Sequence, residues 1–366
     1  MQNEPRVTAK AAVVWCVARS IPIAASVWLS RVDQGAHRRI KGLRLVTAYG
    51  IAAMLGTMPD IVAGLPDGSA LSSLAGGFAL WGSVSESRST RAESSRDLLL
   101  LTIAAAFGAA IFIVSAPSLR RIGFVGPEIV LASGAFCVGY LRRFGITGTG
   151  VGSQIYIGQL LAYSAGLGPR DLPIVVVAAV LATIASIVPR VLSGPAEHPP
   201  PTSTLPPRAG RIPPELAMGL QASVAAIVIV ALNAAVGLAE SAWAITASTY
   251  VVAGSASATI DRVKRRIAGT AIGVPIGLAF LPLTTTAPLV VWGAAALAMV
   301  MYAMALPERY DIACGAYAFV LIVTLAIGGE HSVPLLEARA WETLLGGALG
   351  LATATLLFPL RPTQNS

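Results

Sequence analysis

Apolar runs about twenty residues long follow one another almost without pause through this chain, and a chain written that way needs a nonpolar solvent. A helix crossing the hydrocarbon core takes about 20 predominantly apolar residues. Six such runs occupy about 44–64, 69–85, 97–116, 123–141, 146–166 and 172–189. Six more occupy about 215–237, 240–259, 266–283, 287–306, 310–328 and 336–358. Only 12% of the 366 residues are charged and 55% are apolar, whereas soluble domains carry roughly 25% charged residues. In lipid, every backbone N–H and C=O must be satisfied within the protein, which leaves helices as the spanning form for runs of this length. The predicted fold is all-α: a polytopic transmembrane helical bundle of about twelve spans, arranged as two parallel six-helix repeats.

The boundaries follow from where the pattern breaks. Residues 1–42 form an N-terminal cytoplasmic segment, in which the apolar run Ala11 to Leu29 is interrupted by Arg19 and Pro22 and followed by Arg31, His37, Arg38, Arg39 and Lys41. That pattern reads as an amphipathic helix on the membrane interface, with a further span as the alternative. No small-residue cleavage site precedes the basic cluster, so no cleaved signal is expected. Residues 43–193 form the first membrane repeat and 215–360 the second, leaving 361–366 as a tail. Between the repeats, residues 194–214 hold eight prolines, from Pro195 to Pro214, and read as a stiff extended linker.

The net charge of +8 reads as topology. Basic stripes interleaved with aromatics are absent, which argues against nucleic acid. With twelve spans and a cytoplasmic N-terminus, one face receives Arg88, Arg91, Arg96, Arg142, Arg143, Arg190, Arg208, Arg211, Arg262, Lys264, Arg265, Arg266, Arg309 and Arg361. The other receives Arg120, Arg121 and Arg170. Positive charge concentrates on the cytoplasmic side, so both termini are expected there.

The two halves echo each other. Trp81 leads into the charged stretch ending Arg96-Asp97, as Trp243 leads into Asp261 to Arg266. Gly152 to Tyr156 answers Gly315 to Phe319, and Val188-Pro189-Arg190 answers Phe358-Pro359-Leu360-Arg361. Six spans return the chain to its starting side, so such repeats are parallel.

Polar groups at membrane depth are the informative ones, because a charge at the helix centre costs about 2.5–3.5 kcal/mol on insertion scales. The fifth run carries Gly145, Gly148, Gly150 and Gly152, a spacing that predicts irregular backbone, followed by Gln154, Tyr156 and Gln159. These three, with Tyr317 and Arg339, are candidates for a substrate path, or else polar glue between helices. Asp60, Asp311 and Glu342 are the proton-coupling candidates, a desolvated carboxyl being able to bind protons near neutrality. The first two can equally be helix-end acids, and Arg339 with Glu342 can be a structural i,i+3 pair. Gly269, Gly273 and Gly277 predict a flat face for close helix packing, and Pro275 predicts a kink. Cys16, Cys137 and Cys314 are too scattered for a disulfide framework. No HExxH, no serine–histidine–acid order and no Cys/His cluster occurs, so no enzyme, metal or cofactor is expected.

Several of these segments resemble the fusaric acid resistance and aromatic acid exporter family. The carriers are Arg266-x-x-Gly269-Thr270-x-x-Gly273, the span from Tyr310 to Thr324, and Arg339-x-x-Glu342-Thr343-Leu-x-Gly346 with Phe358-Pro359. The resemblance is clearest over 215–360. It implies a multi-pass protein of the bacterial inner membrane with six-helix repeats that exports organic acids. The expected function is secondary export of small organic anions, aromatic carboxylates foremost, driven by protons. The alternatives are an organic-anion channel, like the distantly similar plant malate channels, and a non-transporting envelope protein. The expected partners are the anion and the lipid bilayer, with room for a homo-oligomer or a periplasmic adaptor subunit.

Overall fold

The structure, a computed structural model, describes Asp33 and residues 36–66, 68–88, 90–121, 126–193, 212–238, 241–306, 308–327 and 333–357. Twelve helices of ten residues or more lie among them: α1 His37–Leu55, α2 Leu71–Ser85, α3 Arg91–Arg120, α4 Leu131–Tyr140, α5 Gly145–Ser164, α6 Leu172–Leu192, α7 Pro214–Val236, α8 Ser241–Val251, α9 Ala256–Ala279, α10 Pro288–Ala305, α11 Tyr310–Ile327 and α12 Val333–Leu356. No strand occurs among the described residues. The interfacial helix expected at 11–29, nearly all of the proline linker and the motif Phe358-Pro359 fall outside them.

Five helical stretches are long and apolar enough to cross a membrane: Arg91–Leu119, Pro127–Ser164, Pro169–Leu192, Pro214–Val236 and Pro288–Ala305. The second of these, at 38 residues, is not one rod. Gly145 turns the chain at φ 71°, a value open to glycine without strain, and α4 then packs against α5. The first arm, although only 10 residues of it are α-helical, is extended by a 3₁₀ turn of 4 residues at each end. At 1.5 and 2.0 Å per residue, that path is about 30 Å long, the thickness of the hydrocarbon core.

What faces outward fixes the solvent. On α6, Val176, Val180, Ile184, Val188 and Val191 are exposed, while Ile174, Val175, Ala178, Ala182 and Ala185 are buried. On α3, Leu99, Ile103, Phe107 and Val114 are exposed. The outer stripe recurs every third or fourth residue, as one helix face requires. In water each such side chain would forfeit about 1.5–3 kcal/mol of burial, and stripes of this length would drive aggregation. In lipid they cost nothing. The chain is a multi-pass helical membrane protein.

Helix pairing is regular. Among the first six helices α1 packs on α2 and α6, α2 on α6, α3 on α5 and α6, and α4 on α5. Among the last six the same ordinal pairs meet: α7 on α8 and α12, α8 on α12, α9 on α11 and α12, and α10 on α11. Between the sets, α4 packs on α7 and α10 packs on α1.

Three local expectations need correction. The glycines of the fifth run do not break the helix; α5 is regular, and a side chain at Gly152 would strike the Cys137 carbonyl of α4. The missing side chains of Gly150 and Gly152 serve helix approach, which outweighs the entropy that glycine costs a helix. The stretch 240–259 is not one helix. α8 ends at Val251, and Ser255 caps α9 by accepting from the Ala258 N–H at 3.2 Å. The basic run Asp261 to Arg266 therefore sits inside α9 and not in a loop. The run 44–64 is likewise divided, because α1 stops at Leu55 and Pro59 opens a separate 4-residue turn. The helix α9 continues unbroken through Pro275.

Candidate functional site

The glycines of the ninth run set the site's walls. A side chain at Gly269 would collide with the Asp311 carbonyl, and one at Gly273 with the Gly315 carbonyl. These two positions let α9 and α11 touch backbone to backbone. Gly346 does the same for α12 against the Ala244 carbonyl of α8. Where the four helices α8, α9, α11 and α12 leave contact, a cavity of ≈ 40 Å³ remains, lined among others by Trp243, Arg266, Thr270, Cys314, Tyr317 and Thr343. A water centre needs about 10–15 Å³, so the space admits a few waters and no aromatic acid.

Arg266 brings the charge. It is half-buried, and its Nη1 donates to the Tyr310 hydroxyl at 3.5 Å. Its Nε is buried and donates to nothing, and no carboxylate pairs with it among the described residues. A guanidinium partly withdrawn from water without a counter-charge is costly, and it suits an incoming carboxylate in a two-point grip. Arg142, from the turn before α5, repeats the feature: its Nε is also buried without a partner.

Aromatic rings close the cavity toward the first six helices. Tyr317 meets Trp81 edge-on at 5.6 Å, Trp243 at 6.4 Å and Tyr302 at 6.3 Å between centroids. Trp81 comes from α2 and the other three from the second set, so this cluster lies where the two sets meet.

Of the expected path residues, Tyr317 lines the cavity. Gln154, Tyr156 and Gln159 are fully buried between helices. The Gln154 amide donates to the Trp81 carbonyl at 2.8 Å and to Ser85 Oγ at 2.9 Å. Tyr156 shares a hydrogen bond with Thr246 across the two sets at 2.7 Å, and Gln159 donates to Ser133 at 2.9 Å. The side chain of Arg339 lies outside the described residues. Among the proton-coupling candidates, Asp60 is exposed on its short turn. Asp311 accepts two hydrogen bonds from Arg309, at 3.1 and 2.9 Å. Glu342 alone is fully buried, next to the cavity-lining Thr343. Arg266, Thr270 and Thr343, singled out by resemblance, do converge on the cavity.

Residues 224–353 match the family described as fusaric acid resistance protein-like. The match leaves residues 1–223 and 354–366 uncovered. No curated protein and no solved structure matches the chain. The fusaric acid resistance protein-like segment contains Trp243, Arg266, Thr270, Cys314, Tyr317 and Thr343, so the matched stretch and the cavity coincide. Three contributors escaped the sequence reading. Trp81 and Trp243 stood out only as marks of repetition, and Tyr302 not at all. Their signal was an amphipathic ring in an apolar run, which packs equally well against neighbours or lipid until the fold brings such rings together.

Proposed function

We propose that the protein is a secondary carrier of the bacterial inner membrane that exports small organic anions, aromatic carboxylates foremost, in exchange for protons. The observation that carries the reading is Arg266, a guanidinium with a buried, unpartnered Nε on a cavity otherwise walled by aromatic, aliphatic, hydroxyl and thiol side chains. Arg266 would take the carboxylate, with Thr270 and Thr343 offering hydroxyls and Tyr317 and Trp243 flanking the ring. Glu342, buried beside Thr343, is the proton site of this scheme.

The twelve helices are read as spans in two like-oriented repeats, 43–193 and 215–360. The shared pairing of ordinal helices supports this, as does the exchange by which α4 meets α7 and α10 meets α1. An axis along the membrane normal relates such repeats. The basic end supports cytoplasmic termini. There Arg38 meets Glu308, Lys41 meets the carbonyls of Val84 and Glu86, Arg88 meets Asp97 and Thr147, and Arg265 meets the Glu308 carbonyl. A cavity of ≈ 40 Å³, too small for an aromatic acid, supports alternating access over a standing pore.

The test is export from inside-out vesicles or cells against a panel of aromatic and aliphatic acids, with and without a protonophore. Saturable movement of an aromatic acid that collapses with the proton gradient is the expected result. Voltage-driven currents in a planar bilayer would replace the carrier with a channel. Indifference of every acid on the panel would remove the transport reading.

A further inference from the structure

A second group of cations sits in the first six helices, away from the cavity. Arg44 on α1 is 9% exposed and Arg190 on α6 is 2% exposed. Arg44 Nε reaches the Ile40 carbonyl at 3.4 Å, and its Nη1 is buried with no hydrogen-bond partner. No carboxylate lies within 4.0 Å of Arg44 among the described residues. Arg190 Nε donates to Ser94 Oγ at 2.7 Å, in the first turns of α3. Lys41 Nζ donates to two carbonyls at the end of α2, Val84 at 3.0 Å and Glu86 at 2.5 Å. An ammonium has three protons, so one remains.

Among the described residues the carboxylate beside this group is Glu86, and it accepts from the Arg88 N–H at 2.7 Å. Lys41, Arg44 and Arg190 therefore feel the same acid, Glu86, close to the N-terminus of α3, where the helix dipole adds positive potential. Burying Arg44 without a counter-charge would cost several kcal/mol. The group lies at the basic end of the bundle, where helices leave the apolar layer.

We propose that Lys41, Arg44 and Arg190, with the N-terminus of α3, bind a phosphate group, carried by an anionic lipid or free in solution. The planar guanidinium of Arg44 holds two phosphate oxygens, Lys41 supplies its remaining proton, and the negative charge of the phosphate, single in a lipid diester and larger in free phosphate, offsets the excess. The site does not depend on the transport reading, because none of its residues lines the cavity. A lipid bound there would brace α1, α2, α3 and α6 against one another, whatever the second set does.

The full chain, purified in detergent and exchanged into phosphate-free buffer, is titrated with inorganic phosphate in one arm and phosphatidylglycerol in the other. Its thermal midpoint is followed, since a ligand of the folded state raises it with concentration. The expected result is a saturable rise that Arg44→Gln weakens about tenfold or more, as loss of a charged hydrogen bond implies. A response to both ligands assigns the site to phosphate itself, and a response to phosphatidylglycerol alone assigns it to a headgroup. If Arg44→Gln fails to fold, Lys41→Gln, whose side chain is only half-buried, takes its place in the same comparison. No rise with either ligand, or variants that respond as the natural chain does, would overturn the proposal.

Discussion

Trp81 stands edge-on to Tyr317, with ring centroids 5.6 Å apart and planes at 71°. The tryptophan belongs to α2 and the tyrosine to α11, so the contact ties the first six helices to the cavity of the last six. Trp243 and Tyr302 press on the same tyrosine. Aromatic pairs of this kind are worth about 0.5–1.5 kcal/mol each beyond their burial. Tyr317→Ala removes three of them and opens the cavity toward α2. Export of an aromatic acid should fall while Tyr317→Phe keeps most of it. Equal activity in the alanine and phenylalanine variants would deny the ring a role.

Arg266 is the charge on which the anion reading stands. Arg266→Gln keeps the length and polarity of the side chain but loses the cation. It should lower apparent affinity for a carboxylate substrate about tenfold or more while the protein still inserts. Arg266→Lys, a point charge without the planar fork, should recover only part. The comparison is a transport assay in proteoliposomes, and an unchanged KM in Arg266→Gln would exclude this arginine from the site.

Glu342 is a fully buried acid of the segment that matches the fusaric acid resistance protein-like family. Glu342→Gln should uncouple the carrier: substrate should still exchange down its own gradient, yet an imposed proton gradient should no longer concentrate it. Full proton-driven accumulation by the variant would return Glu342 to a structural role.

The contact of α9 and α11 depends on missing side chains. Gly273→Leu would force its side chain into the Gly315 carbonyl. Overpacking of this kind costs about 1–3 kcal/mol or more, to be read as a lowered thermal midpoint in detergent. Gly293, with nothing within 4 Å of an added methyl, is the control, and Gly293→Ala should be silent. Equal midpoints for the two variants would mean that α9 and α11 are not so close.

Arg38 donates to Glu308 at 2.5 Å, and that hydrogen bond, then the charge behind it, holds the glutamate's carboxyl below its ordinary value. A lowered acid stabilises the fold in its charged form. The contribution is therefore present above the usual glutamate range and is lost as pH falls through the lowered value. The pair is open to solvent, so the effect is small and salt-sensitive. In a carbonyl-carbon titration of labelled Glu308, Arg38→Gln should move the midpoint upward. A midpoint indifferent to Arg38 would show the pair absent in solution.

Much of this protein was settled by its sequence. Runs of about twenty apolar residues carry their own solvent requirement, and where each falls is a local property of composition; a helix lies on each of the twelve predicted runs. The family motif was equally local, and it led to Arg266, Thr270, Thr343 and Glu342. What the sequence did not decide was which polar groups would meet. Gln154 and Tyr156 read as a path or as polar glue, and the residues they bond, Trp81, Ser85 and Thr246, were hidden from sequence because they lie 69 to 90 residues away. The glycines before them read as a broken helix, because their role appears only when a neighbouring backbone stands where a Cβ would be. Composition acts residue by residue along the chain, so it could be read there. Proximity across the bundle is created by packing, so only the folded structure joined Trp81 to Tyr317 and gathered three cations around Glu86.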